Sequence, residues 1–181
     1  MIQGRPIAPE RFGDTLHQFK HTAFRLELQP SYLVPEETEI LAAFLKGEPR
    51  SPVPVYQDWY DQVAEGVRQG KRIERVRVQD DPPTPYQRFE RWLDAWNVAS
   101  GEIMRYLTRQ QAFDIGLLPD AGSTDWWLLD SSQLIIMRFD EAGRPGTHEL
   151  VDDPAVVVQA CAWRDLAVHH SVLSTPDAPA D

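Results

Sequence analysis

Two arginines, Arg75 and Arg77, alternate in "RIERVRV" (72–78), and a third, Arg105, sits in "EIMRYLTR" (102–109). Arginine on a strand inside a sheet has little access to water and is rarely buried without a partner. Two chemistries follow from that placement. The guanidinium groups either hold an anionic ligand or interface partner, or they close a structural network with carboxylates, for which Glu27, Glu74, Glu90 and Glu102 are the candidates. Asp130 is the other residue placed to do chemistry. It ends the apolar run "DWWLLD" (125–130) and precedes Ser131, Ser132 and a second apolar run. At the carboxyl end of a strand an aspartate can bind a ligand, coordinate an ion or orient a base. Asp-Ser-Ser is also turn chemistry, because these side chains bond to nearby backbone amides. Asp140 in "DEAGRPG" has the same turn-forming character. Arg75, Arg77, Arg105, Glu90 and Asp130 are therefore the candidate ligand- or partner-binding residues.

Other reaction chemistries find no support. His17 and His21 are four apart, but Gln18 stands where a zinc-protease helix needs glutamate. His169 and His170 are adjacent, so no metal-ligand spacing results. Cys161 falls on the apolar face of the last helix, the setting of an inert buried thiol. There is no glycine-rich phosphate loop, no G-x-S-x-G elbow and no C-x-x-C pair. No catalytic residue, metal ligand or cofactor site is assigned.

The elements that must position these residues are legible from periodicity and punctuation. "ERFGDTLHQFK" (10–20) spaces Phe12, Leu16 and Phe19 as a short helix. "AFRLELQ" (23–29) alternates Phe24, Leu26 and Leu28 with Arg25, Glu27 and Gln29, a strand with one polar face. Helices are expected from Pro35 to Gly47 and over "YQDWYDQVAEGVRQG" (56–70). "RIERVRV" is a strand. Thr84, Pro85 and Gln87 then form a capping box that starts a helix ending at Gly101. "EIMRYLTR" follows as a strand, which makes a βαβ unit with parallel strands. After a loop of about 15 residues, long enough to suggest function or mobility, "DWWLLD" and "QLIIMRFD" form a hairpin. A last helix is capped by Asp153. The expected fold is therefore α/β or α+β in one domain, a mixed sheet flanked by helices. Residues 1–22 are read as a helical arm, 23–172 as the domain and 173–181 as a disordered tail.

With 181 residues and 42% hydrophobic content, the chain can bury one good core. Its 18 basic against 28 acidic residues leave a net charge of -10. That opposes direct nucleic-acid binding, which rests on Lys and Arg neutralising phosphates, but suits a basic protein partner. A single cysteine fits the reducing cytosol. No stretch reaches the ~18 apolar residues of a membrane span, so a cytoplasmic protein is expected.

The ordered segments "AFRLE", "VPEE", "FLKGEP", "RIERVRV", "TPYQRFE", "ASGEIMRYL", "DWWLLD", "MRFD" and "ELVDDPAVV" resemble an actinobacterial family, domain of unknown function 6879. The resemblance spans roughly residues 12 to 172. It implies a regulatory or toxin–antitoxin-like module, encoded beside Xre-type helix-turn-helix regulators, with such a regulator as protein partner. The layout also resembles one half of a phospholipase D-like fold. The signature there is H-x-K-x(4)-D; with its Asp on Asp130, Ser123 and Asp125 replace the His and Lys. Covalent phosphoryl catalysis needs that imidazole. The expectation is thus a non-catalytic regulatory or interaction protein; the alternative is a hydrolase or nuclease using Asp130 with the strand arginines. The enzyme would have to gather Asp130 and at least two of Arg75, Arg77, Arg105, Glu90 and Glu102 in one pocket.

Overall fold

The computed structural model describes residues 4–49 and 54–176. Strands are β1 (Arg5–Ile7), β2 (Thr22–Glu27), β3 (Arg72–Gln79), β4 (Ile103–Thr108), β5 (Asp125–Leu129), β6 (Gln133–Phe139), β7 (Pro145–Val151) and β8 (Val172–Leu173). Helices are α1 (Phe12–Leu16), α2 (Thr38–Leu45), α3 (Gln57–Arg68), α4 (Pro85–Ala99), α5 (Arg109–Asp114) and α6 (Pro154–His170). All eight strands lie in one mixed sheet, in the order β1-β7-β6-β5-β2-β3-β4-β8. The fold is α/β.

The βαβ unit read from the capping box is present: β3 and β4 are parallel neighbours, with Arg77 opposite Tyr106. Thr84 accepts from the Gln87 amide and Gln87 reaches back to the Thr84 amide, which fixes where α4 begins. Gly101 ends the connection with φ 99° and with Val67 close to where a Cβ would stand. A second parallel pair was not legible locally. β2 lies beside β3, Arg25 opposite Arg75 and Glu27 opposite Arg77, so three parallel strands form the centre. β5 then runs antiparallel on the other side of β2, and the β5–β6 hairpin is as expected.

Period-2 alternation sends the two halves of each central strand to different cores. Phe24, Leu26, Val76, Val78, Leu107, Trp126 and Leu128 face α6, whose Val157, Ala160, Trp163 and Ala167 cover them. Ala23, Ile73, Trp127, Leu129 and Ile135 face the opposite way, against Leu16, Phe19 and Val63. On that same side Phe89 and Leu93 of α4 pack with Phe44 of α2 in a third cluster. Among the large aromatics, Phe24, Phe89 and Trp127 are buried, while Trp59, Trp92, Trp96 and Phe139 are half-buried.

Several local readings differ from the sequence expectation. The 15-residue loop holds a helix, α5, and buries Leu117 and Leu118 under the α6-side core. The first 22 residues are more than a helical arm, because β1 pairs with β7 at the sheet edge. At the other edge, Val172 and Leu173 pair with β4 and the Ser174 amide bonds to Met104 O, so 173 and 174 are not tail. Residues 177–181 of the expected tail lie outside the described residues. No helix among the described residues is long and apolar enough to cross a membrane.

Candidate functional site

A central strand has both faces covered, so its polar side chains must be satisfied by protein. β2 and β3 show the consequence. Arg25, Glu27, Arg75 and Arg77 all point to the α3–α4 side and form one buried ionic lattice. Glu27 is its hub: its carboxylate meets Arg25 at 3.0 Å, Arg75 at 3.1 Å and Arg77 at 2.6 Å. Arg75 also reaches Glu102 at 2.8 Å, Arg77 reaches Asp94 at 2.6 Å, and Arg25 reaches Asp125 at 2.8 Å. The guanidinium groups of Arg25 and Arg75 stack about Trp127, 5.6 and 5.7 Å from its ring centroid.

This lattice floors a cavity of about 430 Å³. Its size is that of a small-molecule site. Phe12, Trp59, Trp127 and Phe139 supply apolar wall, and Tyr32, Tyr56, Tyr60 and Tyr86 line it with phenols. Tyr56 and Tyr86 donate to Glu37, Tyr86 at 2.5 Å, and Tyr32 donates to Asp125 at 2.6 Å. Burial raises the pKa of each of these phenols, so all remain protonated donors near neutrality.

The carboxylates of the cavity are electrostatically unequal. Burial works against ionising Glu27, yet Arg25, Arg75 and Arg77 together hold its pKa down to about 2. Glu90 is just as enclosed, but among the described residues its carboxylate is within ion-pair distance of one cation, Arg77 at 3.5 Å, with Arg25 farther off and Glu27 repelling it. Burial therefore dominates and pushes Glu90 up to about 8. Glu37 is also raised by burial, against the hydrogen bonds from Tyr56 and Tyr86.

Of the sequence candidates, Arg75, Arg77 and Glu90 meet in this cavity and the other two do not. Arg105 is opposite Val76 in the ladder, so its side chain faces the α6 side, where it bonds to Glu74 at 2.7 Å. Asp130 is at the far end of the sheet. β5 runs antiparallel to β2, so its carboxyl end coincides with the amino end of the parallel strands, while the cavity lies toward their carboxyl ends. There Asp130 accepts from the amides of Lys20 (2.7 Å), His21 (2.8 Å) and Thr22 (2.8 Å). Its φ of 50°, with Ser131 at 51° and the Ser132 amide bonded to Leu129 O, is that of a primed hairpin turn. Asp130 is thus a turn residue that ties the hairpin to the start of β2. Asp140 likewise accepts from its own turn, the amides of Ala142 and Arg144.

Sequence reasoning missed Asp125, Tyr32, Glu37, Tyr56 and Tyr86 as site residues. Asp125 was aligned with the absent phospholipase lysine, yet it is fully buried and clamps Arg25, Tyr32 and the Leu28 amide. Arg25 and Glu27 carried a usable signal, since they form the polar face of a strand. That signal becomes decisive once the strand is known to be central. Among the described residues, no group of three or more His, Cys, Asp or Glu side chains is arranged to hold a metal ion.

A solved structure shows the same fold at low identity. Nuc from Salmonella typhimurium, a phospholipase D family member, superposes with TM-score 0.53 at 10% identity, covering 96% of this chain and 97% of that one. The archaeal chromatin protein TrmBL2 gives TM-score 0.47 at 10% identity over 94% of this chain and 52% of that one. No curated protein matches. The family DUF6879, a domain of unknown function, matches residues 10–175, and the chain belongs to it.

Proposed function

We propose that the domain is a non-catalytic regulatory protein that binds a small molecule in the cavity and answers to it through a protein partner. One observation carries the reading. The arginines of the charged floor are engaged by the protein's own ion pairs, and aromatic rings with protonated phenols stand around it. A floor so cross-linked is preorganised for recognition, because its side chains need no reordering when a ligand arrives. Among the described residues, no Ser, Thr, Cys, Lys or His side chain lines the cavity. Asp130, on which the hydrolase alternative turns, is engaged by three backbone amides elsewhere. The partner suggested by the family resemblance is an Xre-type helix-turn-helix regulator, and a net charge of -10 favours a basic partner. The single cysteine suits work in the cytosol.

The test pairs binding with turnover. Ligand-observed NMR against a chemically diverse fragment library should yield binders of the wild type that Val34→Trp, which fills the cavity, no longer binds. Plasmid, RNA and a generic phosphodiester should survive incubation with wild type across several divalent metals. A library without a single cavity binder sinks the ligand-binding reading. Turnover that disappears in Asp130→Asn or Glu90→Gln would replace it with the hydrolase alternative.

A further inference from the structure

The lattice contains more acid than base. Three guanidinium groups, Arg25, Arg75 and Arg77, face the carboxyl groups of Glu27, Glu90, Asp94, Glu102 and Asp125, with Glu37 on the wall. An anionic ligand would have to displace these carboxylates from the arginines inside a buried site. Every nitrogen of Arg75 is engaged, Nε and Nη2 by Glu102 and Nη1 by Glu27. A cation meets the opposite situation. Glu90 is 6% exposed, and among the described residues its carboxylate has a single ion-pair contact, to Arg77 at 3.5 Å, while the walls are aromatic, the surface that best accepts an organic cation.

We infer that the cavity takes a small organic cation, an amine or guanidine on an apolar body, with Glu90 as its counter-charge and the aromatic wall around that body. The assignment rests on the small-molecule reading above and names its ligand class.

The groups that face Glu90 set the proton balance of binding. They are Glu27 and Arg25 on β2, Arg77 on β3, and Asp125 on β5, with Tyr86 on its own helix and Glu37 across the cavity. With Glu90 pushed up to about 8 by burial, its carboxyl group is mostly protonated at pH 7. A cation placed beside it favours the carboxylate, so Glu90 gives up its proton to solvent as the ligand binds.

Matched probes decide the matter. The full chain is titrated calorimetrically with tyramine, tryptamine and agmatine, and with the alcohol and carboxylic acid counterparts of each body. Expected is binding of at least one amine at least tenfold tighter than its matched alcohol and acid, with a heat that changes between phosphate and Tris buffers because a proton is released. Glu90→Gln should weaken that amine at least tenfold and abolish the buffer dependence, while the free protein keeps a cooperative unfolding transition at a Tm no lower than that of the wild type. If Glu90→Gln does not fold, the matched series and the buffer dependence decide alone. Acids or alcohols binding as tightly as the amines overturn the cation assignment and leave the small-molecule reading standing. So does a failure of every amine when the diverse library has given cavity binders; failure of both removes the two readings together.

Discussion

At the residue scale, two acidic side chains that look alike in sequence behave in opposite ways because of what surrounds them. Burial pulls the Asp130 pKa up, but the amides of Lys20, Thr22 and His21 outweigh it and leave it below the usual aspartate range. A lowered folded pKa gives stability that is present above the unfolded value, ~3.9, and is lost as pH falls through the folded one. Asp130→Asn keeps one acceptor oxygen and tolerates the left-handed backbone, so it should cost about 1–2 kcal/mol at pH 7. Denaturation curves from pH 7 to 2 should show that difference shrinking below about pH 4. A constant difference would mean that the amides do not select the carboxylate. Glu90 has the reverse sign. Its folded pKa is raised, so its contribution is full below the unfolded value of 4.5 and is lost as pH rises towards about 8. Glu90→Gln should therefore gain stability relative to wild type between those limits, and flatten out above them. Parallel pH profiles of the two proteins would argue against a protonated Glu90.

At the element scale, α4 does two jobs at once. Its capping box sets where it starts, and the 3.6-residue period then turns Phe89 and Leu93 to the aromatic cluster and Glu90 and Asp94 to the lattice. Phe89 is fully buried, 5.6 Å from the Phe44 ring, 5.8 Å from Trp92 and 5.8 Å from Tyr86. Phe89→Ala should cost about 3–5 kcal/mol, since the hole left among rings cannot close. A urea midpoint that does not move would count against this packing. The capping box is legible in the sequence, because it depends only on spacings within one turn of chain. The role of Glu90 is not, because nothing local distinguishes a solvated glutamate from one aimed at a neighbouring strand.

At the scale of the whole molecule, the lattice joins β2, β3, α4, β5 and the start of β4. Arg77 is its most connected cation, bonding to Glu27, Asp94, the Glu90 carbonyl and Tyr106. Arg77→Leu strands buried carboxylates and should cost about 3–5 kcal/mol. Adding Asp94→Leu to that background removes one stranded charge and should recover part of the loss, a coupling that a double-mutant cycle reads directly. Additive losses would show that the two side chains do not act as a pair. The C-terminal edge joins the same system, since Ser174 Oγ donates to Asp94 at 2.9 Å.

Local chemistry in the sequence determined the elements: alternation marked β2 and β3, the Thr84–Gln87 box marked α4, and Gly101 marked its end. It also narrowed the arginines to two outcomes, ligand grip or ion-pair network, without choosing between them. Only the tertiary structure chose, because the choice depends on strand order and direction. Placing β2 between β3 and β5 buried Arg25 and Glu27 and put them beside Arg75, Arg77 and Asp125. Running β5 antiparallel carried Asp130 to the opposite end of the sheet, and a one-residue difference in parity sent Arg105 to the opposite face. Those separations are set by long-range pairing, and no spacing along the chain encodes them.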